Sequence, residues 1–141
     1  MSEPASGVVR RLFERYAQAG PEGAIELVAE DAVFVVPPEI SAEPDVYEGH
    51  EGARRYFAGF EGAIDEVRIE LVEVQDTSPG AALGEIRLSG LGTTTRIPVE
   101  LTSFMAFAVR DGLVARIAAH PDLESARREL ERWGGQSPDS S

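Results

Sequence analysis

The chain of 141 residues contains no cysteine, no lysine and no asparagine. Without cysteine it cannot form disulfides, iron–sulfur clusters or zinc sites with thiolate ligands. Without lysine it has no side chain for a Schiff base, a pyridoxal-phosphate anchor or the phosphate-binding lysine of a P-loop. These absences exclude several large classes of enzyme mechanism.

Basic charge is also scarce, since 13 arginines face 25 acidic residues and the formal net charge is −12. Such a charge repels nucleic-acid phosphates and anionic lipid headgroups, and the sequence has no basic stripe to oppose it. No apolar run approaches the roughly 20 residues that span a bilayer, and the first residues do not resemble a secretory signal. We expect a cytoplasmic protein that binds neither nucleic acid nor membrane.

The sequence does contain enough apolar residues for one core. Hydrophobic residues make up 43% and charged residues 27% of the chain, as is typical of globular proteins. We predict one domain over residues 7–133, because a chain of this length buries most of its surface in one core. Residues 1–6 and 134–141 are predicted to be disordered.

The first half of the chain has mainly helical patterns. Apolar residues recur at helical spacing over Val8–Ala19 and His50–Phe60, and a shorter helix is predicted over Glu22–Ala29. The apolar run Ala32–Val36 indicates a buried strand that ends at a proline pair. The proline-rich, acidic residues 37–49 predict a loop.

The second half has strand patterns. A change of parity near Leu71-Val72 predicts a β-bulge, and a further strand is predicted over Ala81–Ser89. A long hairpin over residues 99–120 turns at Asp111-Gly112, a pair suited to left-handed backbone. A last helix begins at Asp122 as its N-cap. The order predicts an α+β fold, with a cone-shaped, curved antiparallel sheet packed against three N-terminal helices and a short C-terminal helix.

The hairpin is apolar on both faces from Leu101 to Val109. One face can take the upstream helices, and the other needs a second sheet or a partner subunit. We therefore predict a homodimer.

The register of this hairpin stays open. A two-residue turn places His120 opposite Ser103, whereas a three-residue turn with a bulge makes Thr102 and Phe104 its neighbours.

Four stretches carry a resemblance to a known family: LFERY, EDAVFVVPPEI, YEGHEGARRYF and VRDGLVARIAAHPDLESAR. Together they resemble the NTF2-like superfamily over residues 8–133, and more specifically its SnoaL-like and ketosteroid-isomerase-like branch. The resemblance implies a cone-shaped fold, frequent homodimers and a deep pocket for a small lipophilic molecule. The residues predicted to line that pocket are Val36, Phe57, Phe60, Met105 and Arg116.

The isomerase residues are mostly missing. Tyr16 matches the helix tyrosine that donates a hydrogen bond to the developing enolate. Val36 stands where the resemblance implies the carboxylate base, and Met105 or Phe104 stands where it implies the second acid. That mechanism needs both carboxylates, so we expect no steroid isomerase activity. Glu39, in the following loop, lies close enough in sequence to substitute as a base.

His120 and Tyr16 are the candidate catalytic residues. His120 matches the family's pocket position at the end of the last strand, where a neutral imidazole suits acid–base chemistry near pH 7. The alternatives are a His120 that caps the strand beside Asp122, a Tyr16 that belongs to the core, and an Arg116 that pairs with an acid rather than a ligand. His50 is the one other histidine, so we predict no metal site and no cofactor.

These inferences predict a small-molecule pocket protein. Its chemistry would be acid–base isomerisation, cyclisation or hydration of a lipophilic metabolite. The alternatives are a non-catalytic module that binds a lipophilic ligand and a dimerisation domain with a vestigial cavity.

Overall fold

The structure is a computed structural model that describes residues 4–36, 45–62 and 64–135. Over these ranges four helices and six strands follow one another. They are α1 (Ala5–Ala19), α2 (Pro21–Ile25), β1 (Val28–Val36), β2 (Asp45–Glu48), α3 (Gly49–Gly62), β3 (Ile64–Ser78), β4 (Ala81–Gly92), β5 (Pro98–Arg110), β6 (Leu113–His120) and α4 (Leu123–Gly135).

The strands form one curved sheet in the order β2-β1-β6-β5-β4-β3, in which β1 and β6 are parallel and all other neighbours are antiparallel. Helices α1 and α3 pack on the face that carries Met105 and Phe107, which we call the concave face. Helix α4 packs on the opposite, convex face, which carries Phe104 and Ala106. This arrangement confirms the predicted α+β fold class.

The main core lies between α1 and the concave face. Val8, Val9 and Leu12 recur at helical spacing and are buried, and Phe13 contacts the ring of Phe107 edge to face at 6.3 Å between centroids. The first turn of α1 is tied to β3, because the backbone N–H of Ser6 donates to the Asp76 carboxylate at 2.9 Å and its hydroxyl donates at 2.7 Å. These contacts fix α1 across one end of the sheet.

The predicted helix and loop bounds need correction. Helix α1 begins at Ala5, so Ala5 and Ser6 are helical rather than disordered. Helix α2 ends at Ile25, because Val28 and Ala29 pair or pack as part of β1. Residues 45–48 form β2 on the edge of β1, although the sequence predicts a loop there; residues 37–44 and 136–141 lie outside the described residues.

The register of the sheet shifts at several points, and two of these shifts bear on the predictions. The β3–β4 register shifts between Leu71 and Glu73, which confirms the predicted bulge. A second bulge, in β6, was not predicted: Val109 lies opposite Val114, whereas Ala108 lies opposite Arg116. Ala115 is therefore an extra residue in β6.

The bulge decides the register of the hairpin. The turn has two residues, which is one of the two lengths considered from the sequence, with positive φ at Asp111 (55°) and Gly112 (76°). Beyond the bulge, however, His120 lies opposite Phe104 rather than Ser103. The alternative that included Phe104 is right, but its cause is a bulge inside β6 and not a three-residue turn.

Helix α4 covers part of the convex face. Its Ala126, Leu130 and Trp133 pack with Leu83 and Ala106 of the sheet. The second face of the hairpin is thus covered here by the chain itself, where the sequence predicted a second sheet or a partner. The homodimer stays a prediction.

None of the helices in the described part of the chain is long and apolar enough to cross a membrane.

Candidate functional site

A cavity of about 170 Å³ lies between α1, α3 and the concave face of the sheet. Most of its wall is aliphatic or aromatic. The residues that line it are Leu12, Phe13, Tyr16, Tyr56, Phe57, Ile69, Ile86, Leu88, Leu101, Thr102, Ser103, Met105, Ile117, Ala119 and Pro121.

Aromatic rings from both helices form one wall of the cavity. Phe57 of α3 contacts Tyr16 of α1 at 5.5 Å and Tyr56 at 5.4 Å between ring centroids. Phe34 of β1 supports Tyr56 and Phe57 from behind, at 4.9 and 5.9 Å. Each such pair adds about 0.5–1.5 kcal/mol beyond area burial, so this wall is held in a defined shape.

The polar groups of the cavity are hydroxyls. Among the wall residues, Tyr16 and Ser103 carry a hydroxyl; the hydroxyl of Tyr56 is buried, and Thr102 has the strand parity of the convex face. No residue of the cavity wall within the described ranges is acidic, basic or a histidine. Burial raises the pKa of Tyr56, and the nearby Tyr47 raises it further, so the phenol stays protonated over the physiological range. The Ser103 hydroxyl donates to the backbone carbonyl of His120, in β6, at 3.4 Å. The cavity can therefore offer hydrogen bonds but no charge.

Three of the residues predicted from the sequence lie in this cavity. Tyr16, Phe57 and Met105 line it together. Strand β1 ends at Val36. The side chains of Val36 and Phe60 are not among those that the structure describes, so their places in the pocket stay predictions.

His120 and Arg116 lie on the convex face, which corrects the prediction that they line the pocket. Val114 is buried in the main core, so a regular strand would also turn residues 116, 118 and 120 inward. The extra residue Ala115 reverses this alternation. Ile117 and Ala119 face the cavity instead.

On the convex face, His120 belongs to a charged cluster with α4. Its Nε2 lies 3.2 Å from Oε1 of Glu129, whose Oε2 accepts from Arg132 at 2.7 Å. Burial raises the pKa of Glu129, but the hydrogen bond and charge of Arg132, with a further contribution from His120, lower it overall. The Arg116 guanidinium lies over the Trp133 ring at 5.1 Å. These contacts hold α4 against the sheet.

The size of the cavity limits what it can hold. An engineered cavity of about 150 Å³ holds one benzene molecule, whereas pockets for drug-sized ligands measure roughly 300–1,000 Å³. A cavity of about 170 Å³ is therefore suited to one ring or a short aliphatic chain.

The sequence did not identify Ser103, Ile117 and Ala119 as cavity residues. Ile117 and Ala119 face the cavity because of the bulge in β6. The sequence gives no signal for this bulge, since residues of both parities in β6 are apolar. Tyr56 could have been found, because it shares the apolar stripe of α3 with Phe57.

No cluster of three His, Asp or Glu side chains that could hold a metal ion occurs within residues 4–36, 45–62 and 64–135.

Comparison with known proteins places the chain beside one family. A model of the SnoaL-like domain matches residues 9–117. No curated protein matches the chain.

Solved structures share the fold at low identity. An NTF2-like protein of unknown function from Burkholderia pseudomallei superposes with a TM-score of 0.72 at 16% identity, covering 93% of this chain and 97% of that chain. A putative SnoaL-like polyketide cyclase from Jannaschia sp. gives 0.69 at 16% identity, with coverage of 87% and 88%. A protein from Catenulispora acidiphila with a ketosteroid isomerase-like fold, in complex with trimethylamine, gives 0.68 at 14% identity, with coverage of 84% and 88%.

Proposed function

The chain belongs to the SnoaL-like family, and we propose that it binds a small molecule by taking an uncharged, lipophilic part of it into the cavity between α1, α3 and the sheet. The observation that carries this proposal is the cavity itself, which has an apolar wall and about 170 Å³ of space. Apolar cavities of this size bind single rings when one is offered.

The chemistry of the wall supports an uncharged occupant. Moving an unpaired ion from water into an apolar site costs roughly several kcal/mol of hydration free energy. The wall of this cavity offers no opposite charge to offset that cost. A carbonyl or hydroxyl group of the ligand would instead hydrogen-bond to Tyr16 or Ser103. These hydroxyls would orient the ligand.

Acid–base isomerisation, cyclisation or hydration has less support. General acid–base catalysis needs a group that titrates near the working pH and reaches the substrate. His120 lies on the other face of the sheet, and Tyr56 keeps its proton at neutral pH. Glu39 lies outside the described residues. We therefore favour a binding module, in which Tyr16 serves as a hydrogen-bond donor to the ligand.

Methionine methyl groups give a direct test of binding. The chain has two methionines, Met1 and Met105, of which Met105 lines the cavity. In protein labelled with [¹³C-methyl]methionine, titration with toluene or benzaldehyde should shift the Met105 signal in a saturable way. No shift of Met105 at millimolar ligand would overturn the proposal.

Two neighbouring alanines supply matched variants. Ala119→Leu fills the cavity and should weaken toluene binding about tenfold or more, because the ligand loses its space. Ala118→Leu adds the same volume at a buried position on the other face, opposite Ala106 in the ladder, where overpacking costs about 1–3 kcal/mol of stability. It should leave the affinity for toluene unchanged once folding is confirmed by thermal melts. Equal losses of affinity in both variants would contradict the assignment of the cavity.

The homodimer and the cytoplasmic location also remain proposals. The homodimer is supported by the family resemblance. The argument that the second apolar face of the hairpin needs a partner is weaker, because α4 covers part of that face. Sedimentation velocity at micromolar concentration distinguishes a dimer from a monomer.

A further inference from the structure

The hairpin of β4 and β5 extends past the end of β6. Strand β6 ends opposite Phe104, whereas β5 begins at Pro98 and is paired with β4 from there on. The cavity lies at the base of this extension, because Leu88 and Leu101, which lie opposite each other, both line it. Leu101 is 52% exposed, so the cavity meets solvent at this point.

The face of the extension that continues the cavity wall is apolar. Residues two apart along a strand share a face, so Val99 and Ile97 follow Leu101 on the cavity side. Val99 lies opposite Gly90, and the carbonyl of Ile97 accepts from the backbone N–H of Gly92 at 3.0 Å. We call this surface the apolar strip, and its residues are Leu88, Gly90, Gly92, Ile97, Val99 and Leu101.

The other face of the same extension is polar, with Arg87 and Ser89 of β4 opposite Thr102 and Glu100 of β5. Such an alternation is typical of a sheet that has one face in water and one face covered. Solvent nevertheless reaches the apolar strip, since Ile97 at its far end is 60% exposed. Exposed apolar surfaces that border a cavity indicate binding.

A second way out of the cavity leads along α1. Phe13, Tyr16 and Ile69 line both the cavity and an adjoining groove, but charged side chains, among them Arg10 and Glu14, also line that groove. An apolar group gains most where it removes other apolar surface from water. For an apolar part of a ligand, the apolar strip is therefore the favoured path out of the cavity.

We propose that the apolar strip binds a hydrocarbon tail, so that the ligand is an elongated lipophile with one end in the cavity and its tail along the strip. This inference rests on the proposed function and adds the chemical class and the direction of the ligand. The strip measures about 13 Å from Leu101 to Ile97, at roughly 3.3 Å per residue. Gly90 and Gly92 carry no side chains, so a tail can approach the backbone beside Val99.

Three ketones with the same ring and carbonyl test the proposal: acetophenone, butyrophenone and hexanophenone. Acetophenone has the single ring that suits the cavity, and the other two add a tail of increasing length. Their affinities are measured by the Met105 methyl titration. Affinity should rise about twofold for each methylene, as expected for a half-buried tail, so hexanophenone should bind roughly tenfold more tightly than acetophenone.

Two variants of the extension locate the tail. Val99→Thr adds a hydroxyl to the apolar strip outside the cavity wall, and it should lower the ratio of hexanophenone to acetophenone affinity about two- to threefold. Leu91→Thr makes a similar change on the other face of the same hairpin, opposite Pro98, and should keep that ratio. Thermal melts show that each variant is folded.

The outcomes separate this inference from the proposed function. If acetophenone binds but affinity does not rise with the length of the tail, the inference fails and the cavity proposal stands. An equal fall of the ratio in Leu91→Thr would also overturn the inference. If none of the three ketones shifts Met105, both proposals fail.

A second copy of the chain is the competing occupant of the apolar strip. Sedimentation velocity of Val99→Thr and of the original chain tests it. If the original chain is a dimer and the variant is a monomer with an unchanged ratio of affinities, the strip is a contact between copies and the inference is overturned.

Discussion

Phe104 lies directly opposite His120 in the β5–β6 ladder, although the turn that joins the strands has only two residues. The extra residue Ala115 accounts for this register. It also determines which side chains line the cavity, because it turns the imidazole of His120 toward α4 and turns Ala119 toward the cavity.

We predict that His120→Phe leaves ligand binding within about twofold of the original chain, because the side chain lies on the convex face. The variant should instead loosen α4, since Glu129 loses one of its two partners. Trp133 is the single tryptophan and packs in α4, so its fluorescence reports docking of this helix. A folded variant that no longer binds toluene would contradict this placement.

Glu129→Gln should flatten the acid limb of the pH–stability curve. The pKa of Glu129 in the folded chain lies below its ordinary value of 4.5, so its contribution is present above that value and is lost as the pH falls through the folded pKa. The variant should therefore be less stable than the original chain at pH 7, with a smaller difference at pH 3. Thermal melts between these values measure this, and Glu124→Gln, whose carboxylate pairs with the exposed Arg128 on the same helix, is the control.

Asp122 should stabilise α4 in a pH-dependent way. The backbone N–H of Ser125 donates to its carboxylate at 2.7 Å and the Ser125 hydroxyl donates at 3.1 Å. These bonds, the backbone one first, lower the pKa of Asp122, so its contribution is lost as the solution is acidified below the ordinary value. Asp122→Asn keeps a capping side chain without the titration, whereas Asp122→Ala removes both. Trp133 fluorescence followed from pH 3 to 7 should show α4 loosened at every pH only in Asp122→Ala.

Tyr16→Phe should separate hydrogen bonding from packing in the cavity. The ring contact with Phe57 at 5.5 Å is kept, and only the hydroxyl is lost. Benzaldehyde should bind roughly 2–10-fold more weakly, the value of one hydrogen bond, while toluene binds as before. Tyr56→Phe provides the comparison for the second phenol. A variant that weakens both ligands equally would show that the hydroxyl acts through structure rather than through the ligand.

Much of the fold could be predicted because the local signals were strong. Asp111-Gly112 takes the left-handed backbone that its residue types favour, and the parity change at Leu71-Val72 marks a real bulge. Asp122 caps the last helix. In each case the deciding residues are neighbours in sequence, so the pattern and the structure coincide.

The side-chain orientation in β6 could not be predicted. From Leu113 to Ala119 both parities are mainly apolar, so no alternation reveals where the extra residue lies. Edge strand β2 was missed for a related reason, because four residues in a proline-rich, acidic stretch gain their strand conformation only from pairing with β1. Both errors concern contacts between distant residues, and the candidate site depends on the first of them.

The parallel pairing of β1 with β6 has a consequence for the order of folding. Strands β3 to β6 can pair with their neighbours in sequence by closing short turns, whereas one edge of β1 pairs with a strand about 80 residues later, as in Val33 with Arg116. Closing so long a loop costs more chain entropy than closing a hairpin, and contacts of this span slow folding. During synthesis β1 therefore leaves the ribosome long before the strand that completes its edge. We therefore expect the cavity, whose wall combines α1 with β6, to be among the last parts of the molecule to acquire its shape.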